Sequence, residues 1–265
     1  WRPSRAPECR DPSNPGEERT ASDVDFFRAL GFLTILPCPR QESSPEDLGR
    51  SSGWFPAVGA VLGMILASAW LGLSQVFSPL LSSASVVVLW VFLTRGFHLD
   101  GLADTFDGIG GGYSRESRLT IMKDSRLGTF GGIAVAAALL LKTAALTDMT
   151  GLSGAAALFA APVAGRWAIL FAMRFFPSAR PGGMGDTFRK GCTTLRLVTG
   201  TAIAVPAALF GAGTAGAVLL VLIPCAAVLL SLMMKSLLGG LTGDSYGAVC
   251  EISEILSLFL FALLQ

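Results

Sequence analysis

The sequence predicts an all-α, polytopic membrane protein: a bundle of about seven transmembrane helices preceded by a short interfacial helix. Three observations carry this expectation. The 265 residues are 52% hydrophobic and only 15% charged, with a mean hydropathy of +0.60. A soluble domain has roughly 25% charged residues to clothe its surface, so lipid is the expected solvent. Several runs approach the ~20 apolar residues that cross a 30 Å hydrocarbon core at 1.5 Å per residue. Finally, Lys and Arg fall in alternate loops.

Taken in order, residues 1–23 are rich in Pro, Ser, Arg and Glu and have no apolar core or secretory signal. They are expected to form a disordered extension, with 24–265 as a single membrane-embedded catalytic domain. Phe26 to Leu36 (FFRALGFLTIL) is too short to span and stops at Pro37 and Pro39, which suggests an interfacial or re-entrant helix. The candidate spans are Gly53–Leu73, Ser82–Phe97, Gly128–Leu146, Leu152–Phe175, Leu197–Phe210, Gly213–Met234 and Tyr246–Leu264, the second and fifth being short. Gly59 and Gly63 have the small-xxx-small spacing that lets membrane helices approach closely.

Charge placement orients these spans. The connections at 74–81, 147–151 and 211–212 contain no Lys or Arg, whereas the alternate ones carry Arg115, Arg118, Lys123 and Arg126, then Arg174, Arg180, Arg189, Lys190 and Arg196, then Lys235. The positive-inside rule then predicts an odd number of spans in a cell inner membrane, with the N-terminus inside. The net charge of +1 gives no basic excess to attract nucleic acid. The five cysteines show no CxxC or Cys/His spacing and are expected to be reduced packing residues.

The chemistry concentrates after the second span. Asp100, Asp104 and Asp107 lie at i, i+4 and i+7, on one face of a helix. Like charges so close call for a cation, and hard oxygen ligands suit Mg²⁺ or Mn²⁺. Such an ion keeps coordination positions for substrate phosphates. The plain alternative is a solvated acidic helix end, favoured by the helix dipole. Lys123, Asp124 and Arg126 precede a helix start at Gly128, where cations and backbone N–H groups cradle phosphate. Lys123 and Arg126 are equally explained as topology anchors. His98, the only histidine, is either a general base or a structural hydrogen-bonder.

Arg166 lies inside the fourth span, where an ionisable side chain is costly and therefore a functional candidate. The loop ARPGGMGDTFRK at 179–190 adds Arg180 and flexible glycines. Asp244, Glu251 and Glu254, at the start of the last span, would form a second carboxylate cluster facing the first. Helix-dipole complementation is their alternative role.

At these residues the sequence resembles the cobalamin synthase family, also called adenosylcobinamide-GDP ribazoletransferases. The matching stretches are FFRALGFLTILPCP at 26–39, GWFPAVGAVLG at 53–63, HLDGLADTFDG at 98–108, IMKDSRLGTFG at 121–131, ARPGG at 179–183 and GGLTGDSYGAVCEISE at 239–254. The resemblance implies a membrane transferase in which a hydroxyl of α-ribazole, or of its 5′-phosphate, attacks the cobinamide-linked phosphorus of adenosylcobinamide-GDP and expels GMP. It further implies a Mg²⁺ (or Mn²⁺) ion on Asp100, Asp104 and Asp107, with Asp244, Glu251 and Glu254 available to it. Lys123, Arg126, Arg166 and Arg180 would steady the diphosphate, with Asp107, Asp124 or His98 as base.

CDP-alcohol phosphotransferases offer an analogy in chemistry, but their DGxxAR pattern is not met, since Asp104 and Thr105 stand at its last two positions. The rival class is a secondary transporter of an anionic or phosphorylated solute. It would show internal repeats and charges spread through the midplane, whereas here the acids are expected to gather at one face. A structural membrane subunit would leave three clustered aspartates without a purpose.

Overall fold

The protein was analysed as a computed structural model, which describes residues 21–39 and 44–264. These residues form eleven α-helices: α1 (Ala21–Leu33), α2 (Pro45–Ser51), α3 (Phe55–Leu73), α4 (Pro79–Thr94), α5 (Phe97–Gly111), α6 (Arg115–Ile121), α7 (Thr129–Thr147), α8 (Gly151–Phe175), α9 (Met184–Gly191), α10 (Thr194–Leu238) and α11 (Gly243–Leu263). Of the expected disordered extension, residues 1–20 lie outside the described residues, and 21–23 are the first turn of α1. That turn is therefore a correction, since the helix begins before Phe26.

Five segments are long and apolar enough to cross a membrane alone: Asp47–Leu73, Thr129–Thr147, Gly151–Phe175, Gly213–Leu238 and Gly243–Leu263. The count reaches seven when two bent pairs are each taken as one span: Pro79–Thr94 with Phe97–Gly111, bent by 90°, and Met184–Gly191 with Thr194–Leu209, bent by 83°. These are the two spans the sequence made short. Both are short because the chain bends sharply at one end of each, after α4 and before α10.

The expected fifth and sixth spans are the arms of α10, which reverses at Gly213 (φ 52°, ψ −128°). Ala204 and Ala208 of the first arm share one apolar crevice with Leu219 and Ile223 of the second. The chain path therefore runs α3, α4, α7, α8, the two arms of α10 and α11, alternating direction.

Helix α8 is the axis of the bundle: its apolar window is 83% buried, against 33% for that of α7. It packs on α3, α10 and α11. The α3 contact depends on Gly59 and Gly63, as their spacing suggested. A Cβ at Gly63 would stand 2.5 Å from the Phe159 carbonyl oxygen, and one at Gly59 2.6 Å from that of Pro162. Backbone-to-backbone approach is what drives association where lipid and side chain are equally apolar.

Two turns place the site. Between α4 and α5, Arg95 (φ 56°) and Gly96 (φ 64°) are both left-handed. The arginine there is strained by about 1–2 kcal/mol, and its guanidinium offsets this by donating to the Gly31 and Phe32 carbonyls at the end of α1 (3.3 and 3.0 Å). At the end of α10, Arg115 Nε and Arg118 Nη1 donate to the Leu238 and Leu237 carbonyls (2.9 and 3.1 Å). They satisfy orphan groups that a helix C-terminus always leaves.

Candidate active site

Three pieces of chain remote in sequence meet at one end of the bundle: the start of α5, the loop that leads into the start of α9, and the start of α11. They enclose a cleft of about 290 Å³ bordered by Asp100, Arg180, Asp186, Thr242 and Asp244. The glycines in these segments make the meeting sterically feasible. A Cβ on Gly101 would lie 2.7 Å from the Asp244 carbonyl oxygen, and one on Gly247 2.9 Å from that of His98. The loop is pinned by two backbone bonds, Ala179 N to Leu241 O and Leu241 N to Pro177 O, both 2.8 Å.

In the cleft lining Asp100 is exposed and Asp244 half-buried; Asp104, one turn further along α5, is half-buried beside it. The charges of Asp244, Asp100 and Asp107 all act on Asp104, opposed by Arg180. Arg180 pairs with Asp244 (3.5 Å) and donates to the Leu119 carbonyl (2.7 Å). Asp186, which the sequence reading passed over, is buried; it accepts from Gly182 N (3.0 Å) and pairs with Arg189 and Lys190 (3.3 and 2.8 Å). Its charge is spent shaping the loop. With Asp186 already paired, the cleft is lined by the carboxylates of Asp100 and Asp244 against Arg180, and Asp104 adds its charge from beside them, which leaves negative charge in excess.

Other expected site residues sit elsewhere. Asp107 is a correction: its two oxygens accept from Gly128 N and Gly131 N (2.8 Å each), so it caps the N-terminus of α7 rather than facing the cleft. Asp124 is paired with the exposed Arg126 (2.6 Å). Hydrogen bonds from the Arg126 side chain and backbone hold its carboxyl down to about 2. Lys123 is exposed on the same loop. Neither Lys123 nor Arg126 borders the cleft that contains Arg180.

The expected second cluster also divides. Asp244 does face the first aspartates, but Glu251 and Glu254 lie deeper in α11 and are neutralised by cations. Lys142 Nζ bonds Glu251 (2.7 Å) and Glu254 (2.5 Å), and Arg166 pairs with Glu254. All four are buried. Counted along the helices, Arg166 and Glu254 stand about 13–17 Å from the ends that form the cleft.

Arg166 is therefore not a cleft residue. His98, 2% exposed, lies beneath the cleft with Nδ1 3.4 Å from Arg166 Nη2 and 3.6 Å from the Cys250 thiol. The expectation that the acids gather at one face is corrected too, because this charge-balanced quartet occupies the bundle interior. Lys142 was missed although its signal was plain: one lysine in the apolar run LLLKTAAL at 139–146.

Among the described residues no three His, Cys, Asp or Glu side chains are close enough to hold a metal by themselves. Asp100, Asp104, Asp107, Asp244, Glu251 and Glu254 consequently do not make one centre. The cleft's hard oxygen donors and surplus negative charge do suit an ion bound by one or two carboxylates whose other positions go to water and phosphate.

With this geometry in view, similarity to known proteins is informative. The family described as cobalamin-5-phosphate synthase matches residues 25–262. An adenosylcobinamide-GDP ribazoletransferase of Roseiflexus sp. (strain RS-1) is 42% identical over 87% of this chain and 86% of its own length. Those of Herpetosiphon aurantiacus and Escherichia coli K12 are each 39% identical, over 89% and 90% of this chain and 95% and 98% of their own. No solved structure matches. The match spans every element from α1 to α11 and all the segments that build the cleft, and the chain belongs to the cobalamin-5-phosphate synthase family.

Proposed function

We propose that the protein is a Mg²⁺-dependent membrane transferase that joins adenosylcobinamide-GDP to α-ribazole, or to α-ribazole 5′-phosphate, releasing GMP. The activity for which its relatives are named supports the reaction, and one observation on this chain accords with it. The cleft where three family-like stretches meet is lined by Asp100 and Asp244 with Arg180, and Asp104 lies close enough for their charges to act on it. Unaided, so acidic a cleft would repel a diphosphate; with a divalent cation it becomes a diphosphate site.

In this assignment Asp104 and Asp244 hold the ion and Arg180 steadies a phosphate oxygen. Bound Mg²⁺ supplies charge neutralisation between the two phosphates. Asp100, the exposed acid, takes the proton from the attacking hydroxyl. A new O–P bond forms at the cobinamide-linked phosphorus, the bridging P–O bond breaks, and GMP departs with the bridging oxygen. The Lys and Arg distribution supports a cytoplasmic site in the inner membrane with the N-terminus inside, and lipid as the surrounding partner.

The reading is tested with purified protein in liposomes, given both substrates with and without Mg²⁺, and mass detection of products. GMP and the corrinoid product should rise together only when both substrates and Mg²⁺ are present. Corrinoid transport across the vesicle wall without GMP would favour the transporter instead.

A further inference from the structure

Directly beneath the cleft lies a small apolar chamber of about 40 Å³, bordered by Phe32, Phe55, Phe97, Phe188, Met184 and Tyr246. It adjoins the cleft: Phe97 and Met184 border both. The rings are packed around one another, with centroids 5.1 Å apart for Phe32 and Phe97 and 4.8 Å for Phe32 and Phe188. Two polar side chains interrupt these walls: His98, whose Nδ1 already faces Arg166 and Cys250, and Tyr246. The Tyr246 hydroxyl is buried, on a residue only 4% exposed, and has no hydrogen-bond partner among the described residues. A buried donor left unmade costs roughly 1–3 kcal/mol, so such a group calls for an explanation.

We infer that this chamber receives the base of the acceptor nucleoside, with the Tyr246 hydroxyl donating to its free ring nitrogen. The inference rests on the ribazoletransferase reading above and deepens it. The substrates offer three ring systems. A corrin is far too large. Guanine carries several donors and acceptors, most of which a chamber offering one unpartnered hydroxyl, with His98 Nδ1 already facing Arg166 and Cys250, would leave unpaired at high cost. A benzimidazole is flat and apolar with one acceptor nitrogen, which matches apolar walls and one donor.

Entry needs room that the closed chamber lacks. Met184, 64% exposed at the mouth, is the side chain that can swing aside, being unbranched and flexible. Seated there, the base would hold its ribose in the adjoining cleft, beside Asp100.

The test is the Tyr246→Phe variant, assayed by GMP release with α-ribazole and with an analogue whose free ring nitrogen is replaced by CH. The wild type should prefer α-ribazole by about tenfold, the value of one hydrogen bond in a dry site. The variant should lose that preference by a raised KM for α-ribazole, while its KM for adenosylcobinamide-GDP stays unchanged. Its melting temperature without substrate should be unchanged or higher, because only an unpaired hydroxyl is removed.

A variant that keeps the preference, or one whose KM for adenosylcobinamide-GDP rises instead, overturns the inference while the reaction stands. A wild type that releases no GMP from either acceptor overturns the reaction and the inference with it.

Discussion

Single acids in this chain divide by what faces them. Asp107 differs from Asp104 by three positions, yet its carboxylate is spent on the backbone of α7. Asp107→Ala should therefore lower stability by about 0.5–2 kcal/mol, the usual cost of losing an N-cap, and leave turnover within a few-fold, as thermal melts and GMP assays on the same preparation will show. Lys142 makes the opposite point, because it holds two buried glutamates. Lys142→Met leaves Glu251 uncompensated and Glu254 with Arg166 alone, and should destabilise by about 3–5 kcal/mol, read as loss of folded protein in detergent; wild-type-like stability would show that Glu251 is neutralised otherwise. The spacing of the aspartates was legible in the sequence, but their partners were not. Period tells which side of a helix a residue occupies and is blind to whether a backbone N–H or a carboxylate waits there.

Among the elements, the long spans were readable because lipid demands a continuous apolar run, and their ends fall within a few residues of expectation. The short ones were read correctly as short, but the reason lay in tertiary structure: α4 ends where the chain bends by 90°, and the first arm of α10 begins where it bends by 83°. Residues 98–127, expected as a helix-bearing loop, hold two separate helices, α5 and α6. The bend between α4 and α5 rests on an arginine with positive φ, which no propensity would suggest. By contrast, Gly59 and Gly63 announced the α3–α8 contact. Gly63→Ala places a methyl 2.5 Å from the Phe159 carbonyl oxygen, and such overpacking should cost about 1–3 kcal/mol. A melting temperature equal to wild type would mean that the two helices part without penalty.

For the whole molecule, the alternation of helix direction brings three remote segments together at one side of the bundle and leaves the charge-balanced interior closed. This layout favours chemistry at a surface over passage through the middle, since the interior cations and acids neutralise one another. It also carries a topology. Reporter fusions after residue 150 and after residue 240 should report opposite sides of the membrane, the second on the cytoplasmic side; agreement between the two would break the proposed threading. The central claim is that Asp104 and Asp244 share a divalent cation with the substrate diphosphate. The most direct measurement is Mn²⁺ binding by electron paramagnetic resonance to purified wild type and Asp104→Asn, each with adenosylcobinamide-GDP. The account predicts a bound ion in the wild type and an affinity weakened by roughly tenfold or more in the variant. Equal affinity and an unchanged spectrum in the variant would contradict it.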